Sequence, residues 1–349
     1  MNNFFYHSLF KVLAENWNND FKDNFDFFRF GEPEREIVNS RENLTDIETY
    51  LDKLDSFFNL LEDDRSRDIM IRVLAFRMLG HRKIRLPFSH PDYWRAISNL
   101  DSLMDKNSSL EVPYTRITTK LYSVDLNSLG IPLKLYAKPS GILSQFLIKQ
   151  YEYITDEKEI IGAKAGDIII DGGACWGDTA LFFADKVKEQ GKVYAFEFIP
   201  DNLKTAHKNF SLNPSQEKII KLIESPLWEK SNVKMFFDDN GPGSKIAQQP
   251  FKNEKKEIKT ISIDDFVREE KLTNVNFIKM DIEGAEQPAL KGAVRTLKKH
   301  KPQLAISIYH NMNDFANVVH LINDMNLGYK FYLNHFTIHR EETVLYAKI

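Results

Sequence analysis

The chain has 349 residues, enough for two domains or one large domain with an extension, and 47 basic against 50 acidic residues leave a net charge of -3. A nearly neutral chain predicts no nucleic-acid partner, because binding to phosphate backbones needs a strongly basic face. The one cysteine, Cys175, excludes an internal disulfide, and no Cys/His spacing is typical of a zinc site. No run of about 18 apolar residues and no signal-peptide pattern is present, so we expect a cytoplasmic protein without a membrane span.

Helical patterns fill residues 1–110. Eight of the 26 phenylalanines lie within the first 30 positions, which predicts a helical segment packed on the rest of the protein. Three further helices are predicted over 45–61, 65–80 and 91–104. We interpret residues 1–110 as a region that packs against the main domain. A lid, or a dimerisation arm that would make a homodimer, is the alternative.

From residue 111 the pattern changes to that of an α/β domain. A β-hairpin is predicted over RITTKLYSVDL and IPLKLYA, followed by a short helix over 142–153. Strands and helices then alternate, which is typical of a doubly wound, mostly parallel, Rossmann-like sheet. The predicted strands are 167–170, 193–198, 219–224, 275–280, 303–308, 329–333 and 343–347. The last two are expected to form an antiparallel hairpin at the sheet edge.

The stretch GDIIIDGGACWGDTALFFADKV combines an apolar strand, a glycine-rich bend and a helix that begins near Asp178. Gly173 and Gly177 let a ligand approach the backbone at the carboxyl end of the strand, where open α/β sheets bind ligands. The bend departs from the dinucleotide pattern G-x-G-x-x-G, and Asp178 at the helix start would repel a pyrophosphate. A nicotinamide-dependent oxidoreductase is therefore disfavoured, and a ligand without phosphate fits better.

The next strand ends at Glu197, 26 positions after Asp171, where a carboxylate can accept hydrogen bonds from both ribose hydroxyls. Acids at the ends of two adjacent strands suit a cationic ligand with a free ribose. S-Adenosylmethionine has a sulfonium, an ammonium and such a ribose, so it is the predicted cofactor. Either acid alone could instead be a capping or solvated group.

The sequence resembles the FkbM family of class I S-adenosylmethionine-dependent methyltransferases. The resemblance rests on the glycine-rich bend, on FEFIPDNLKTAHKNFSLN, TISIDDF and ETVLYA, and above all on FIKMDIEGAEQPALKGA. The resemblance covers roughly residues 140–349. It implies a class I methyltransferase fold and methyl transfer to an oxygen of a sugar or of a polyketide-like metabolite. Cys175, Trp176 and Phe198 depart from the usual family pattern, which changes the walls expected for the adenosine pocket.

The resemblance also implies a set of cofactor-binding residues at the strand ends. Those expected around the methionine part are Asp171, Gly173 and Gly177, and Asp178 and Thr179 are further expected cofactor-binding residues. Glu197 would bind the ribose, Ser225 would lie near the adenine, and Asp281 would lie beside the transferred methyl.

Methyl transfer to a hydroxyl needs a base, or a divalent ion that lowers the hydroxyl pKa. Asp281 and His310 end two neighbouring strands, so we predict both as catalytic residues, with the imidazole as the base. A structural histidine is the alternative for His310, and Glu283 and Glu286 are interpreted as favouring the start of the next helix. Magnesium bound through Asp281 is a further alternative, but no dense ligand set is present and no metal is expected by default.

These patterns predict an S-adenosylmethionine-dependent O-methyltransferase whose small-molecule acceptor is a saccharide or a surface-glycan precursor. The alternatives are an O-methyltransferase of a polyketide-like metabolite and a catalytically silent binding module on the same fold.

Overall fold

The computed structural model describes residues 4–30, 40–88, 91–155, 158–252 and 256–349. Its helices are α1 (Phe4–Asn16), α2 (Phe27–Phe30), α3 (Ser40–Thr49), α4 (Leu51–Leu60), α5 (Asp64–Leu79), α6 (Pro91–Leu103), α7 (Pro139–Ile142), α8 (Asp178–Val187), α9 (Pro200–Ser211), α10 (Pro214–Glu217), α11 (Ile263–Glu269), α12 (Glu286–Lys291), α13 (Val294–His300) and α14 (Met312–Asn323). A π-helical turn, Leu143–Leu147, follows α7.

The strands are β1 (Met104–Pro113), β2 (Thr118–Asp125), β3 (Lys134–Ala137), β4 (Tyr153–Thr155), β5 (Lys158–Ile161), β6 (Ile168–Gly172), β7 (Lys192–Phe196), β8 (Ile220–Ile223), β9 (Lys234–Phe237), β10 (Ile246–Ala247), β11 (Lys256–Lys259), β12 (Phe277–Met280), β13 (Gln303–Ser307), β14 (Lys330–His335) and β15 (Thr343–Lys348). Each of the seven predicted strands of the α/β domain is present, with ends that differ by a few residues. None of the described helices combines the length and the apolar character needed to cross a membrane.

Within the described residues, seven strands form the central sheet in the order β14-β15-β13-β12-β6-β7-β8. β13, β12, β6, β7 and β8 pair in parallel, and β15 pairs antiparallel with both β13 and β14. The predicted terminal hairpin is thus confirmed, with β14 at the edge. Starting from β6, the chain first adds β7 and β8 on one side of β6, and later adds β12 and β13 on its other side, so the strand order reverses at β6. Ligands bind at the carboxyl ends of strands where the order reverses in this way.

The parallel strands of the central sheet carry apolar side chains on both sides. Both faces of the sheet are therefore buried under other elements. Neighbouring residues of β6 show this alternation: Ile169 and Ile170 are fully buried in two different hydrophobic clusters. Phe5, Leu54 and Leu74 of the N-terminal helices belong to the same cluster as Ile170. The N-terminal helices and the sheet therefore share one core.

Two N-terminal predictions need correction. The predicted helix over 45–61 is two helices, α3 and α4, which meet at Tyr50, so that α3 packs on α5 while α4 packs on α14. The aromatic residues near the start are only partly packed. Phe5 and Phe25 are buried, whereas Phe10 and Trp17 are each 64% exposed.

The predicted hairpin is formed by β2 and β3, and β1 adds a third antiparallel strand beside β2. We call β1, β2 and β3 the cap sheet, because β2 lies over the cavity described below. The strand β1 was not predicted, since its first half, Met104–Ser109, is polar and follows a helix directly. The short helix predicted over 142–153 ends early: α7 and the π-helical turn lead into β4.

Candidate functional site

A cavity of about 660 Å³ opens at the carboxyl ends of β6, β7 and β12. Its walls come from the bend after β6, the ends of β7 and β12, the cap sheet, and the segment from Lys138 to Gln145. Arg29 of the N-terminal segment also lines it and is ion-paired with Glu342. A volume of several hundred Å³ is typical of sites for small molecules.

The glycine-rich bend is held against both neighbouring strands. The N–H groups of Gly173 and Ala174 each donate to the carbonyl of Phe196 at 3.0 Å. Gly173 has a φ of +79°, and a Cβ there would lie 2.0 Å from the carbonyl oxygen of Asp281. Only glycine fits this position, which lines the cavity. Gly177 faces elsewhere: a Cβ there would meet the Phe210 ring at 2.5 Å, so Gly177 allows close packing of α8 on α9.

Asp171 lies behind the cavity wall and is fully buried. Its Oδ1 is 3.1 Å from Nζ of Lys279, and its Oδ2 accepts a hydrogen bond of 2.7 Å from the hydroxyl of Thr179. Lys279 also donates to the carbonyls of Gly172 and Gly173, at 3.0 and 2.7 Å. Asp171 therefore acts on the bend and not directly on a ligand. Sequence reasoning missed Lys279, for which a lysine inside the apolar strand FIKM was the available signal.

Glu197 lines the cavity at the end of β7 and is held by three donors. Its Oε1 accepts from the N–H groups of Phe198 and Ile199, at 2.5 and 2.8 Å, and its Oε2 accepts from Asn202 at 3.1 Å. Asn202 is itself fixed by the Tyr114 hydroxyl at 2.6 Å. Burial raises the pKa of Glu197, and these hydrogen bonds oppose that shift. Because a carboxylate oxygen has two lone pairs, Oε2 can accept one more hydrogen bond.

The other predicted cofactor residues lie around the same cavity. Burial raises the pKa of Asp178, at the start of α8, to about 6. Gln145 and the charge of Lys279 lower this pKa but do not cancel the effect of burial. Thr179 lines the cavity beside it, although its hydroxyl is donated to Asp171. Ser225 lines the cavity after β8 and donates to a backbone carbonyl at 2.7 Å.

Asp281 presents its carboxylate on the cavity wall at the end of β12. The Tyr309 hydroxyl donates to its Oδ1 at 3.2 Å, and the Tyr151 hydroxyl donates to its Oδ2 at 3.3 Å. Burial alone would raise the pKa of Asp281, but the hydrogen bond and charge of His310 and the charge of Lys279 hold it at about 2. Burial raises the pKa of both tyrosines well above 10, so they remain donors. Sequence reasoning found neither tyrosine.

His310 lies behind Asp281 and does not line the cavity. Its Nε2 is 3.2 Å from Oδ1 of Asp281 and 3.5 Å from Oε1 of Glu283, and its Nδ1 is 3.4 Å from Oε1 of Glu286. Burial lowers the pKa of His310, but these three carboxylates, Glu286 most strongly, raise it well above 6.5. A protonated imidazole behind the wall is not placed to accept a proton from a ligand. We therefore revise the role predicted for His310 from base to a group that positions Asp281.

The two glutamates after β12 differ in position. Glu283 lines the cavity, whereas Glu286 is buried at the start of α12 and accepts from the N–H of Ile282 at 2.8 Å. Among the described residues, Asp281, Glu286 and His310 form a group whose metal-ligating atoms lie within 4.8 Å of one another. The positive charge of His310 already balances the negative charge of its carboxylate neighbours in this group. Both oxygens of Asp281 also accept tyrosine hydrogen bonds. Our proposed reaction therefore assigns no metal to it.

A doubly wound sheet with a terminal antiparallel hairpin, and a cavity at the reversal of its strand order, define the fold of a class I methyltransferase. Residues 161–331 match the family model of the methyltransferase FkbM domain. This part of the chain belongs to the FkbM methyltransferase family, which confirms the resemblance in the sequence and implies S-adenosylmethionine as the methyl donor.

Solved structures with the same fold include the methyltransferase FkbM from Methylobacillus flagellatus KT, which is 21% identical with a TM-score of 0.54. The alignment covers 87% of this chain and 60% of that protein, so this chain spans less than two thirds of it. Fibrillarin from Aeropyrum pernix, solved with natively bound S-adenosyl-L-methionine, is 14% identical with a TM-score of 0.36, over 68% of this chain and 99% of that one. No curated protein matches the sequence.

Proposed function

We propose that this protein transfers a methyl group from S-adenosylmethionine to a hydroxyl oxygen of a saccharide or a surface-glycan precursor. The observation that carries the proposal is the cavity at the reversal of the strand order, which brings Glu197, the Gly173 bend and the Asp281 carboxylate together. S-Adenosylmethionine supplies a methyl group on a positively charged sulfur. Three of the five carboxylates that line the cavity within the described residues, Asp178 at the start of α8, Glu197 after β7 and Asp281 after β12, are placed to suit a cationic ligand.

In this proposal Glu197 binds the ribose, because Oε2 retains a free lone pair while its other contacts keep the carboxylate in place. Replacing Glu197 by glutamine should weaken binding of S-adenosylhomocysteine by about 10- to 100-fold, since one acceptor oxygen becomes a donor. Isothermal titration calorimetry measures this change. Asp201→Asn in the next helix, at a side chain outside the cavity lining, is the control and should bind as the wild type. An unchanged affinity in Glu197→Gln would contradict the ribose assignment.

Asp281 orients the acceptor and accepts the proton that the acceptor hydroxyl releases as its oxygen takes the methyl group. Tyr151, Tyr309 and His310 hold this carboxylate in one orientation and keep it ionised. The alignment of acceptor oxygen and methyl group supplies much of the rate of such an in-line displacement. The buried setting of Asp281 also limits the access of water to the reacting oxygen.

The affinity for S-adenosylhomocysteine should fall by about tenfold between pH 7 and pH 5, because Asp178, with a pKa of about 6, is protonated over this range. Ionised Asp178 attracts the ligand ammonium above its pKa, and neutral Asp178 does not. Lys279, Asp171, the Tyr151 hydroxyl and the Cys175 thiol are charged or titratable groups near it. Asp178→Asn should show a flat profile. The same slope in wild type and variant, measured by calorimetry at each pH, would exclude Asp178 as the titrating group.

A screen with isotope-labelled methyl donor against neutral sugars, uronic acids, nucleotide sugars and cell lysate fractions tests the activity. We expect label in an acid-stable ether of one saccharide class, and none with the Asp281→Asn variant. Labelling of a nitrogen or carbon acceptor would contradict oxygen transfer. Binding of the donor without transfer to any fraction would identify a silent binding module.

A further inference from the structure

Glu342 lines the cavity, but the proposed reaction gives it no role. It directly precedes β15, and its backbone has a φ of +64°, a left-handed conformation that is uncommon for residues other than glycine. Backbone conformations of this kind cluster at ligand-binding and catalytic sites. The side chain of Glu342 is only 10% exposed, so a largely buried carboxylate is presented at the cavity wall.

Strand pairing places Glu342 near Asp281. β15 runs antiparallel to β13, and the N–H of Ile308 donates to the carbonyl of Thr343 at 3.0 Å. Tyr309 and Glu342 are the next residues toward the carboxyl end of β13, and both line the cavity. The hydroxyl of Tyr309 donates to Oδ1 of Asp281 at 3.2 Å. Asp281, Tyr309 and Glu342 therefore follow one another along the same edge of the sheet.

Two consecutive residues connect the same carboxylates from another direction. The amide of Gln150 donates to Oε2 of Glu342, and the hydroxyl of Tyr151 donates to Oδ2 of Asp281 at 3.3 Å. The carbonyl of Gln150 accepts a hydrogen bond from the Tyr346 hydroxyl of β15, which fixes the backbone at this point. Glu342 and Asp281 are therefore positioned by the same short segment.

The N-terminal region supplies the cation that pairs with Glu342. Arg29 of α2 is ion-paired with Oε1 of Glu342 and lines the cavity. The fully buried Asp26 fixes this segment, because its Oδ1 accepts from the N–H of Arg29 at 3.0 Å and its Oδ2 accepts from the hydroxyl of Tyr93 on α6. A chain of polar contacts thus runs from α6 through Asp26 and Arg29 to the cavity wall.

We propose that Glu342 binds a second hydroxyl of the methyl acceptor, next to the hydroxyl that Asp281 deprotonates. This inference rests on the proposed function. Arg29 and Gln150 are positioning residues for the Glu342 carboxylate. Each Glu342 oxygen has two lone pairs and uses one of them for Arg29 or for Gln150, so each can accept a hydrogen bond from a sugar hydroxyl. The N-terminal region is then part of the acceptor site.

The charges on this wall favour an uncharged methyl acceptor. Arg29 is paired with Glu342, and the protonated His310 lies behind Asp281, outside the cavity lining. The carboxylates of Asp281, Glu283 and Glu342 all line the cavity, so a carboxylate or phosphate on the acceptor would meet like charges. A neutral sugar ring with adjacent hydroxyls instead offers one donor to Asp281 and another to Glu342. The acceptor class is therefore a neutral saccharide with a vicinal diol.

Transfer kinetics with isotope-labelled methyl donor test this subsite. The probes are the methyl glycosides of glucose, galactose, mannose, fucose and rhamnose, with glucuronic acid and glucose 1-phosphate as anionic counterparts. The best neutral probe should exceed both anionic probes by at least about tenfold in kcat/KM. Glu342→Gln should raise the KM of that probe by about tenfold, because one acceptor oxygen becomes a donor. Its kcat and its affinity for S-adenosylhomocysteine should stay within about threefold of wild type.

Two further variants separate the subsite from the fold. Arg29→Met leaves the Glu342 carboxylate without its cation, which can destabilise the protein. The double variant Arg29→Met with Glu342→Gln removes both charges, and we expect it to retain the wild-type melting temperature to within a few degrees and to show the raised KM. Arg85→Met breaks an exposed ion pair with Asp23 in the same region, outside the cavity lining, and should have the wild-type KM.

Deoxy analogues distinguish a direct contact from a structural role. The best neutral probe is prepared without the hydroxyl next to the one that is methylated. This change should lower kcat/KM by about tenfold in the wild type but by less than about twofold in Glu342→Gln, which has already lost the contact.

An equal loss on the deoxy probe in both proteins, an unchanged KM in Glu342→Gln, or no labelling of any neutral saccharide by a protein that binds S-adenosylhomocysteine would overturn the subsite. A preference for the anionic probes would also overturn it, and would show that Lys120 and Lys138 of the cavity lining select the methyl acceptor. If the wild type does not bind S-adenosylhomocysteine at all, the proposed function itself fails.

Discussion

The Asp281→Asn variant is expected to lose about 10³-fold in the rate of methyl transfer while its affinity for S-adenosylmethionine stays within a few-fold of wild type. Asparagine has nearly the same shape as aspartate but lacks its negative charge. In the wild type, His310 and two tyrosines hold the charged carboxylate in place, and this carboxylate takes the proton from the acceptor hydroxyl. Single-turnover transfer of labelled methyl to the identified acceptor gives the rate. Calorimetry gives the affinity.

Glu283→Gln is the matched control for Asp281→Asn. Glu283 lines the same wall and lies 3.5 Å from the same nitrogen of His310. We expect its rate to stay within about threefold of wild type, because the proposed acceptor hydrogen bond is made by Asp281 alone. An equal loss in both variants, or wild-type turnover by Asp281→Asn, would contradict the role given to Asp281.

Lys279→Met is expected to lower the free energy of unfolding by about 3–5 kcal/mol, because it leaves the buried Asp171 carboxylate without its cation. The side chains of Lys279 and Asp171 are 1% and 0% exposed, and Lys279 also holds two carbonyls of the glycine-rich bend. The midpoint of urea unfolding, followed by circular dichroism, measures the loss. We also expect weaker cofactor binding, since the bend would lose a support.

Two further variants make the Lys279 prediction specific. The double variant Asp171→Asn with Lys279→Met removes both charges and should recover a large part of the stability lost by the single change. Lys221→Met breaks an ion pair with Glu270 on the surface and should cost less than about 1 kcal/mol. A Lys279→Met protein as stable as Lys221→Met would show that the buried pair does not hold the bend.

The fold was largely predictable because most of its helices and strands are determined by residues that are close together in the sequence. Apolar runs such as FIKM and IIID, separated by amphipathic helices, identify buried parallel strands, and β6, β7, β12 and β13 follow this pattern. The errors fall where neighbours along the chain do not decide the structure. The polar start of β1 becomes a strand because it pairs with β2, and the helix expected over 142–153 is cut short by the π-helical turn.

The site was only partly predictable, because side-chain partners depend on which strands become neighbours. Asp171 has the strand-end position expected of a ligand-binding acid, but β12 pairs with β6 so that Lys279 lies opposite Asp171. His310 has the right residue type for a base, yet three acids that follow β12, in the bend and at the start of α12, surround it. Glu197 and Asp281 line the cavity, as expected of their positions.

Titration of the wild-type protein with S-adenosylmethionine and, in parallel, with NAD most directly tests whether this cavity is a methyl-donor site. We predict one bound S-adenosylmethionine per chain with micromolar affinity or better, which corresponds to about 8 kcal/mol of binding free energy, and no measurable heat with NAD. Saturable binding of NAD, together with no binding of S-adenosylmethionine, would contradict the account.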